Sequence, residues 1–251
     1  YFNSYWKHLD STIVKNMFDS NDVIDTTIRY YYNYRHCQPS VTRMSLNNGI
    51  ALKENIYTSD EGSGAPNEMW DKNNANFKHI LNSIVEEKIT INGIPTSKKH
   101  NKYSYDTSKD MILTDYVNIY PTATDENYTV NFEYNIRGDL AIHTIGNDIS
   151  TYYIWGYNEG YPIVKIESSN ANIDVFSIQN NVNNLSLSGS DNKIQIDMDI
   201  SNIKEIIPAN LISENLVTFY TYKPLVGMTS QTDPAGRTTY FQYDDFGRLK
   251  L

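Results

Sequence analysis

Between residues 127 and 166 the chain alternates with a period of two. In NYTVNFEYN, Val130, Phe132 and Tyr134 fall on one side, and Thr129, Asn131 and Glu133 on the other. Such alternation predicts a strand with one buried face. IRGD interrupts it, LAIHTIG resumes it, and ISTYYIWGYN and PIVKIE follow across the short breaks ND and EGY. Four strands joined by tight turns are predicted.

Residues 22–121 read in the same way. VIDTTIRYYYNYR is rich in β-branched and aromatic residues, and Pro39, with no N–H to give a ladder, is expected to end it. VTRMSL and IALKENIYT flank Asn48-Gly49, a pair suited to a type I′ hairpin turn. SDEGSGAPNE (59–68) is a loop by composition, and residues 69–83 leave room for a helical turn or two. SIVEEKITINGIPTSKKHNKYSYD predicts a second hairpin about Asn92-Gly93. Its broken alternation over 84–91 predicts a bulge. MILTDYVNIYP is a further strand, closed by Pro121.

Two stretches break the pattern. Residues 1–21 read as a lead-in, a short helix or an irregular segment. Residues 168–215 are rich in Asn and Ser and hold no Tyr, which marks an insertion, part of it helical. The expected divisions are therefore 1–21, a hairpin region at 22–167, the insertion at 168–215, and a last repeat unit at 216–251. The fold class is all-β, mainly antiparallel, with short helical insertions.

Composition sharpens this. Of 251 residues 21 are Tyr, against 8 Phe and 3 Trp, and Tyr suits half-buried pleated surfaces. The net charge of -9 leaves little to neutralise phosphates, so nucleic acid is not an expected partner. The densest basic run, Lys98 to Lys102, reads as a solvated hairpin tip. One cysteine, Cys37, excludes an internal disulfide and a cysteine-based zinc site. No stretch reaches the ~20 apolar residues of a membrane-spanning helix, and no leader peptide is visible.

Little chemistry is written into the chain. His8, His36, His79, His100 and His143 show no metal-ligand spacing. His36 and Cys37, placed on a strand, would face opposite ways and form no dyad. No nucleophile elbow or phosphate loop occurs, so no cofactor and no enzymatic activity are expected. Among the carboxylates Glu133, Glu159, Glu167, Asp197 and Asp199, the last two would share a strand face near Asp191. An oxygen-ligated ion is one reading there and a solvated acidic face the other. Tyr152, Trp155, Tyr157 and Tyr161 are candidate platforms for stacking on sugar rings, or else rings packed strand against strand.

Line up the aromatic strand ends and a repeat emerges. FEYNIRGDL (132–140) and FQYDDFGRL (241–249) share aromatic-x-Tyr-(Asn/Asp)-x-x-Gly-x-Leu. YSYDTSKDMIL (103–113) keeps the start and loses the Gly. YIWGYN and YTY keep only the strand. The spacing is about twenty residues, the length of a stacked supersecondary unit. Asp or Asn opens each turn through its side chain, and Gly takes the positive φ. In the last unit Asp233-Pro234-Ala235-Gly236 makes the opposite turn.

YFQYDDFGRL, preceded by TDPAGRTTY, resembles the YD repeat of RHS-type proteins, with its YDxxGRL core. The residues that carry it are Tyr134, Gly138 and Leu140 in one copy. In the other they are Asp233, Pro234 and Gly236, with Tyr243, Asp244, Gly247, Arg248 and Leu249. The resemblance covers about half the chain, most specifically 217–251. It implies hairpins laid into an extended twisted sheet or part of an RHS-type shell, within a bacterial secreted or cell-surface protein. It implies a structural or interaction role; the alternative, read from the Tyr and Trp platforms, is a carbohydrate-binding surface protein. The implied partners are the remainder of a larger RHS-repeat polypeptide and glycans or surface proteins. The chain starts at Tyr1 and stops at Leu251, so a fragment or truncated product is expected. Toxin-carrying relatives cleave themselves near DPxGL, but here Arg237 follows the Gly.

Overall fold

The computed structural model describes residues 9–18, 22–33, 36–46, 49–121, 127–146, 148–169 and 173–250. The chain divides into two compact units, Tyr1–Val130 and Asn131–Leu251.

Unit 1 is an antiparallel sheet whose strands pair in chain order. They are β1 (Ser11–Phe18), β2 (Asp22–Asn33), β3 (Gln38–Leu46), β4 (Gly49–Tyr57), β5 (Ile84–Ile91), β6 (Ile94–Asp106) and β7 (Met111–Tyr120). A single helical turn, α1 (Asn67–Trp70), lies between β4 and β5. Ser11–Phe18 is thus a strand rather than a helix or irregular segment; the remainder of the predicted lead-in lies outside the described residues, apart from Leu9 and Asp10. The sequence STIVKNMF does not alternate between polar and apolar residues, but β2 offers it a long edge to pair with.

Both Asn-Gly signals have structural counterparts, and they differ. Ile91 pairs with Ile94, so Asn92 (φ 51°) and Gly93 (φ 80°) are the two central residues of a type I′ turn. In the other hairpin Leu46 pairs with Gly49, which places Gly49 in the strand. Asn48 lies outside the described residues. What Gly49 provides is closeness: a Cβ there would sit 1.8 Å from Asn92 Oδ1. That oxygen accepts the Ile50 N–H at 2.8 Å.

Pro39 does not end a strand. It lies within β3, beside a register shift at Tyr31/Tyr32, where a residue without an N–H is tolerated. Its carbonyl accepts from the Tyr57 hydroxyl at 3.2 Å. The bulge expected in 84–91 falls between Ile89 and Thr90. The basic run lies within β6, with Lys98 on Glu86 at 2.9 Å, and is not a hairpin tip. His36 and Cys37 sit in a turn instead of a strand. His36 Nδ1 accepts the Gln38 N–H, leaving Nε2–H to donate to Asp60 at 3.2 Å.

Unit 2 begins within β8 (Tyr128–Tyr134). It continues with β9 (Leu140–Ile145), β10 (Ile149–Gly156), β11 (Tyr161–Ser168), β12 (Leu216–Lys223), β13 (Gly227–Thr232) and β14 (Thr238–Tyr240). From β9 onward each strand pairs antiparallel with the next. Three helices, α2 (Val175–Val182), α3 (Lys193–Ile206) and α4 (Ala209–Glu214), occupy the segment between β11 and β12. Glu167 and Leu216, which flank that segment, are direct register partners.

Capping starts both longer helices. Asp174 accepts the Ser177 N–H at 3.0 Å, and Asn192 accepts the Ile194 N–H at 2.9 Å. α3 buries Ile196, Ile200 and Ile203, an i, i+4, i+7 stripe. α2 buries Val175, Ile178 and Val182. Val175, Ile178, Val182 and Ile203 meet Tyr152, Ile154, Ile163, Val164, Ile166, Val217 and Phe219 from the strands to form the core.

Candidate functional site

Three turns of unit 2 share one geometry. At 135–139, 233–237 and 244–248 the first residue's N–H donates to the fifth residue's carbonyl, at 2.9 Å in each case. The fourth residue is Gly138, Gly236 or Gly247, at φ 89°, 81° and 73°. Those are angles a side chain would strain. The first residue's side-chain oxygen accepts the fifth residue's N–H, again at 2.9 Å in all three.

The copies differ in charge. Arg248 Nε donates to Asp244 at 2.7 Å, and Arg237 Nε to Asp233 at 2.8 Å. The backbone N–H of the arginine and its guanidinium together hold each aspartate below the usual carboxylate range. Tyr243 anchors its unit: its hydroxyl donates to the Met228 carbonyl at 2.9 Å. Gly227 leaves room for that ring, since a Cβ there would lie 2.4 Å from the hydroxyl oxygen. Leu249 bridges back to Tyr243. In the third copy Asn135 replaces the aspartate and Asp139 the arginine. The amide Nδ2 of Asn135 reaches Asp139 at 3.2 Å.

The reason lies across a second turn. Residues Tyr157, Asn158 and Glu159 all have positive φ, at 53°, 57° and 58°. Three successive non-glycine residues in the left-handed region cost on the order of 1–2 kcal/mol each. This turn carries the Glu159 carboxylate inward, where it is only 8% exposed. Asn183, just past α2, donates to it at 2.9 Å, and Asn135 donates at 3.4 Å. An aspartate at 135 would set a third carboxylate beside Glu159 and Asp139; the amide donates to both. Arg137 donates to the Asn158 carbonyl and braces the strained turn.

Gln179 of α2 completes the joint. Its Oε1 accepts the Trp155 N–H at 2.7 Å, and its Nε2 donates to the Trp155 carbonyl at 2.8 Å. It pairs with β10 as a neighbouring strand would, beside the register shift at Ile154/Trp155. A cavity of about 300 Å³ opens here, lined by Ile136, Arg137, Gly156 to Glu159, Val182, Asn183 and Leu185.

The four candidate platform residues part company. Tyr152 is 1% exposed within the core and offers no face to a ligand. The Trp155 indole N–H donates to the Leu140 carbonyl at 2.9 Å. Tyr157 and Tyr161 come together with Tyr222: Tyr161 stacks on Tyr222 at 4.8 Å, and Tyr157 meets both edge-on. The Tyr157 hydroxyl accepts the Tyr222 N–H, and that of Tyr161 the Leu225 N–H, both at 2.9 Å. Burial pushes the hydroxyls of Tyr157 and Tyr222 up to about 12.

The acidic trio also separates. Asp197 and Asp199 lie on α3, two residues apart, and so do not share a face. Asp197 pairs with Lys193 at 2.6 Å and accepts from Tyr240 at 2.5 Å. Asp199 turns inward and accepts the Ser188 N–H and hydroxyl. Asp191 pairs with Lys223 at 2.8 Å. His143 is half-buried between Phe132 and Tyr153, and burial lowers its pKa. Among the described residues no helix is long and apolar enough to cross a membrane. The sequence flagged Glu159 only as one acid among several. Nothing in it marked Asn135, Gln179 and Asn183 as its surroundings, since they come from three separated segments.

Residues 227–251 match the RHS Repeat family. No curated protein sequence matches the chain. Two solved structures are similar to it: TcdB2-TccC3 without its hypervariable C-terminal region (TM-score 0.44, 10% identity) and TcdB2-TccC3 (TM-score 0.43, 9% identity). They align over 97% and 94% of this chain, which spans only 11% of the length of either. At those TM-scores the fold stands on the chain's own strand pairings. The matched residues contain two of the three recurring turns, so the chain carries an RHS repeat at 227–251.

Proposed function

We propose that the chain is a non-enzymatic structural and interaction module of a larger secreted or cell-surface RHS/YD-repeat polypeptide of bacterial type. The observation that carries this is where the aromatic polar tips go. Trp155, Tyr157 and Tyr161 each spend theirs on the chain's own backbone. Rings fixed in that way hold strands and turns in register. The YD turns close each hairpin, and the 168–215 segment supplies the apolar layer that covers the sheet of unit 2. Its partners are the rest of the polypeptide and surface proteins met by the outer faces, glycans being the partner only in the carbohydrate-binding alternative.

The test is retention of the purified chain on a panel of polysaccharides, with released sugar assayed in the same wells. Neither retention nor release is the expected result. Retention abolished by Trp155→Ala or Tyr161→Ala, in a variant that still folds, would replace the scaffold with a carbohydrate-binding surface. Released sugar would make the chain an enzyme.

A further inference from the structure

The cavity beside the left-handed turn holds two opposite charges that do not meet. Glu159 receives only neutral amides, from Asn135 and Asn183. Arg137 gives a hydrogen bond to the Asn158 carbonyl, and no carboxylate among the described residues pairs with it. Both line the same cavity of about 300 Å³. A buried carboxylate without a cation is costly, and a guanidinium has five N–H groups to give. Ile136, Val182 and Leu185 add apolar surface to its lining.

We infer that this cavity binds a small zwitterion, an α-amino acid with an aliphatic side chain. Its ammonium meets Glu159, its carboxylate meets Arg137, and its side chain lies on Val182 and Leu185. The size agrees, because about 300 Å³ is the lower end of the range for small-molecule sites. The chemistry agrees too, since guanidinium favours the planar carboxylate. The strained run from Tyr157 to Glu159 then has a role, which is to hold a carboxylate where solvent would not place it. Occupancy would couple the 135–139 turn, the left-handed turn and the end of α2. The inference does not depend on the scaffold reading, which concerns the aromatic rings.

L-leucine is the probe, titrated into the full chain by calorimetry, alongside isopentylamine and 4-methylpentanoate, which each keep one charge. Saturable binding of leucine is expected, with each single-charge analogue weaker by about tenfold or more, the loss of one charge-assisted pair. Glu159→Gln and Arg137→Gln should each weaken leucine by a similar factor. Arg137→Gln should leave isopentylamine unchanged. Arg137 is exposed, so its variant folds even where the Glu159 variant does not. No saturable binding of leucine overturns the inference. So does binding that ignores both variants, or that depends on only one of the two charges.

Discussion

Units 1 and 2 are both antiparallel sheets of long hairpins, yet they bury very different amounts. Among the described residues, unit 1 buries the apolar side chains of Tyr57, Met69, Val85 and Val117. Unit 2 buries the whole cluster from Ala141 to Phe219, with Ile154, Ile163 and Ile203 fully enclosed. The strands are not the cause, for β4 and β5 are as rich in Ile and Val as β10 and β11. The difference is the second layer. A sheet has two faces, and a strand buries its apolar side only when something lies on it. In unit 2 that layer is α2 and α3. In unit 1 the only helix among the described residues is the single turn α1. The hairpins here thus do not bring a core with them; the helical segment between β11 and β12 supplies it.

The severest test removes that layer. Because Glu167 and Leu216 are register partners, residues 169–215 can be replaced by two residues, which with Ser168 make a three-residue hairpin loop that leaves β11 and β12 in place. Unit 2 should then resemble unit 1 or fare worse, with Ile154, Ile163 and Val217 exposed. The expected result is loss of its cooperative unfolding transition and strong binding of a hydrophobic dye. A retained sharp transition would show that the sheet of unit 2 stands alone. A smaller cut is Gln179→Ala, which keeps α2 but removes its hold on Trp155. Leaving that N–H and carbonyl without partners should cost about 1–3 kcal/mol in denaturant unfolding.

What the sequence revealed follows the same divide. The hairpins were legible, because period-two alternation and the Asn92-Gly93 and Asp233-Pro234-Ala235-Gly236 turns are local signals. The second layer was legible only as a change of composition at 168–215, since which faces meet depends on tertiary contact. Helical period also reversed one reading: Asp197 and Asp199 share a face on a strand but not on α3. Tyr152 looked the same as Tyr161 in sequence, and only the helices decided which was enclosed. The left-handed turn at 157–159 carried no signal, because no glycine occupies it. Pro39 misled for the opposite reason, a strong breaker accommodated by one bulge.

The turns offer a finer test. Asn135→Asp would restore the aspartate of the other two copies, and general turn preferences would rank it neutral or better. Beside Glu159 and Asp139 it should instead destabilise, by about 1–2 kcal/mol, because a donating amide becomes a third carboxylate. The mirror change Asp244→Asn, at an exposed turn with Arg248 as partner, should cost less. Equal costs at the two sites would mean that the joint at Glu159 adds nothing to the turn.

The smallest effect is invisible at neutral pH and appears in alkali. Tyr157 and Tyr222 have hydroxyls raised to about 12 by burial, whereas Tyr105 in unit 1 reaches about 12 chiefly through its hydrogen bond to Asp110. The fold favours the neutral phenol in all three. Their contribution to stability is therefore complete below the ordinary value near 10, and is lost as pH rises toward 12. The causes differ, and so should the response to a single change. Asp110→Ala removes the acceptor of the Tyr105 hydroxyl, so Tyr105 should titrate earlier, close to its ordinary value. Tyr157 and Tyr222 should stay late, since their shift comes from the layer above them. Tyrosinate absorbance against pH separates the outcomes. If removal of residues 169–215 brings Tyr157 and Tyr222 down while Tyr105 holds, burial by the helical segment is the cause in unit 2 and a surface hydrogen bond in unit 1. If all three move together under either change, the two units do not differ in the way their packing implies.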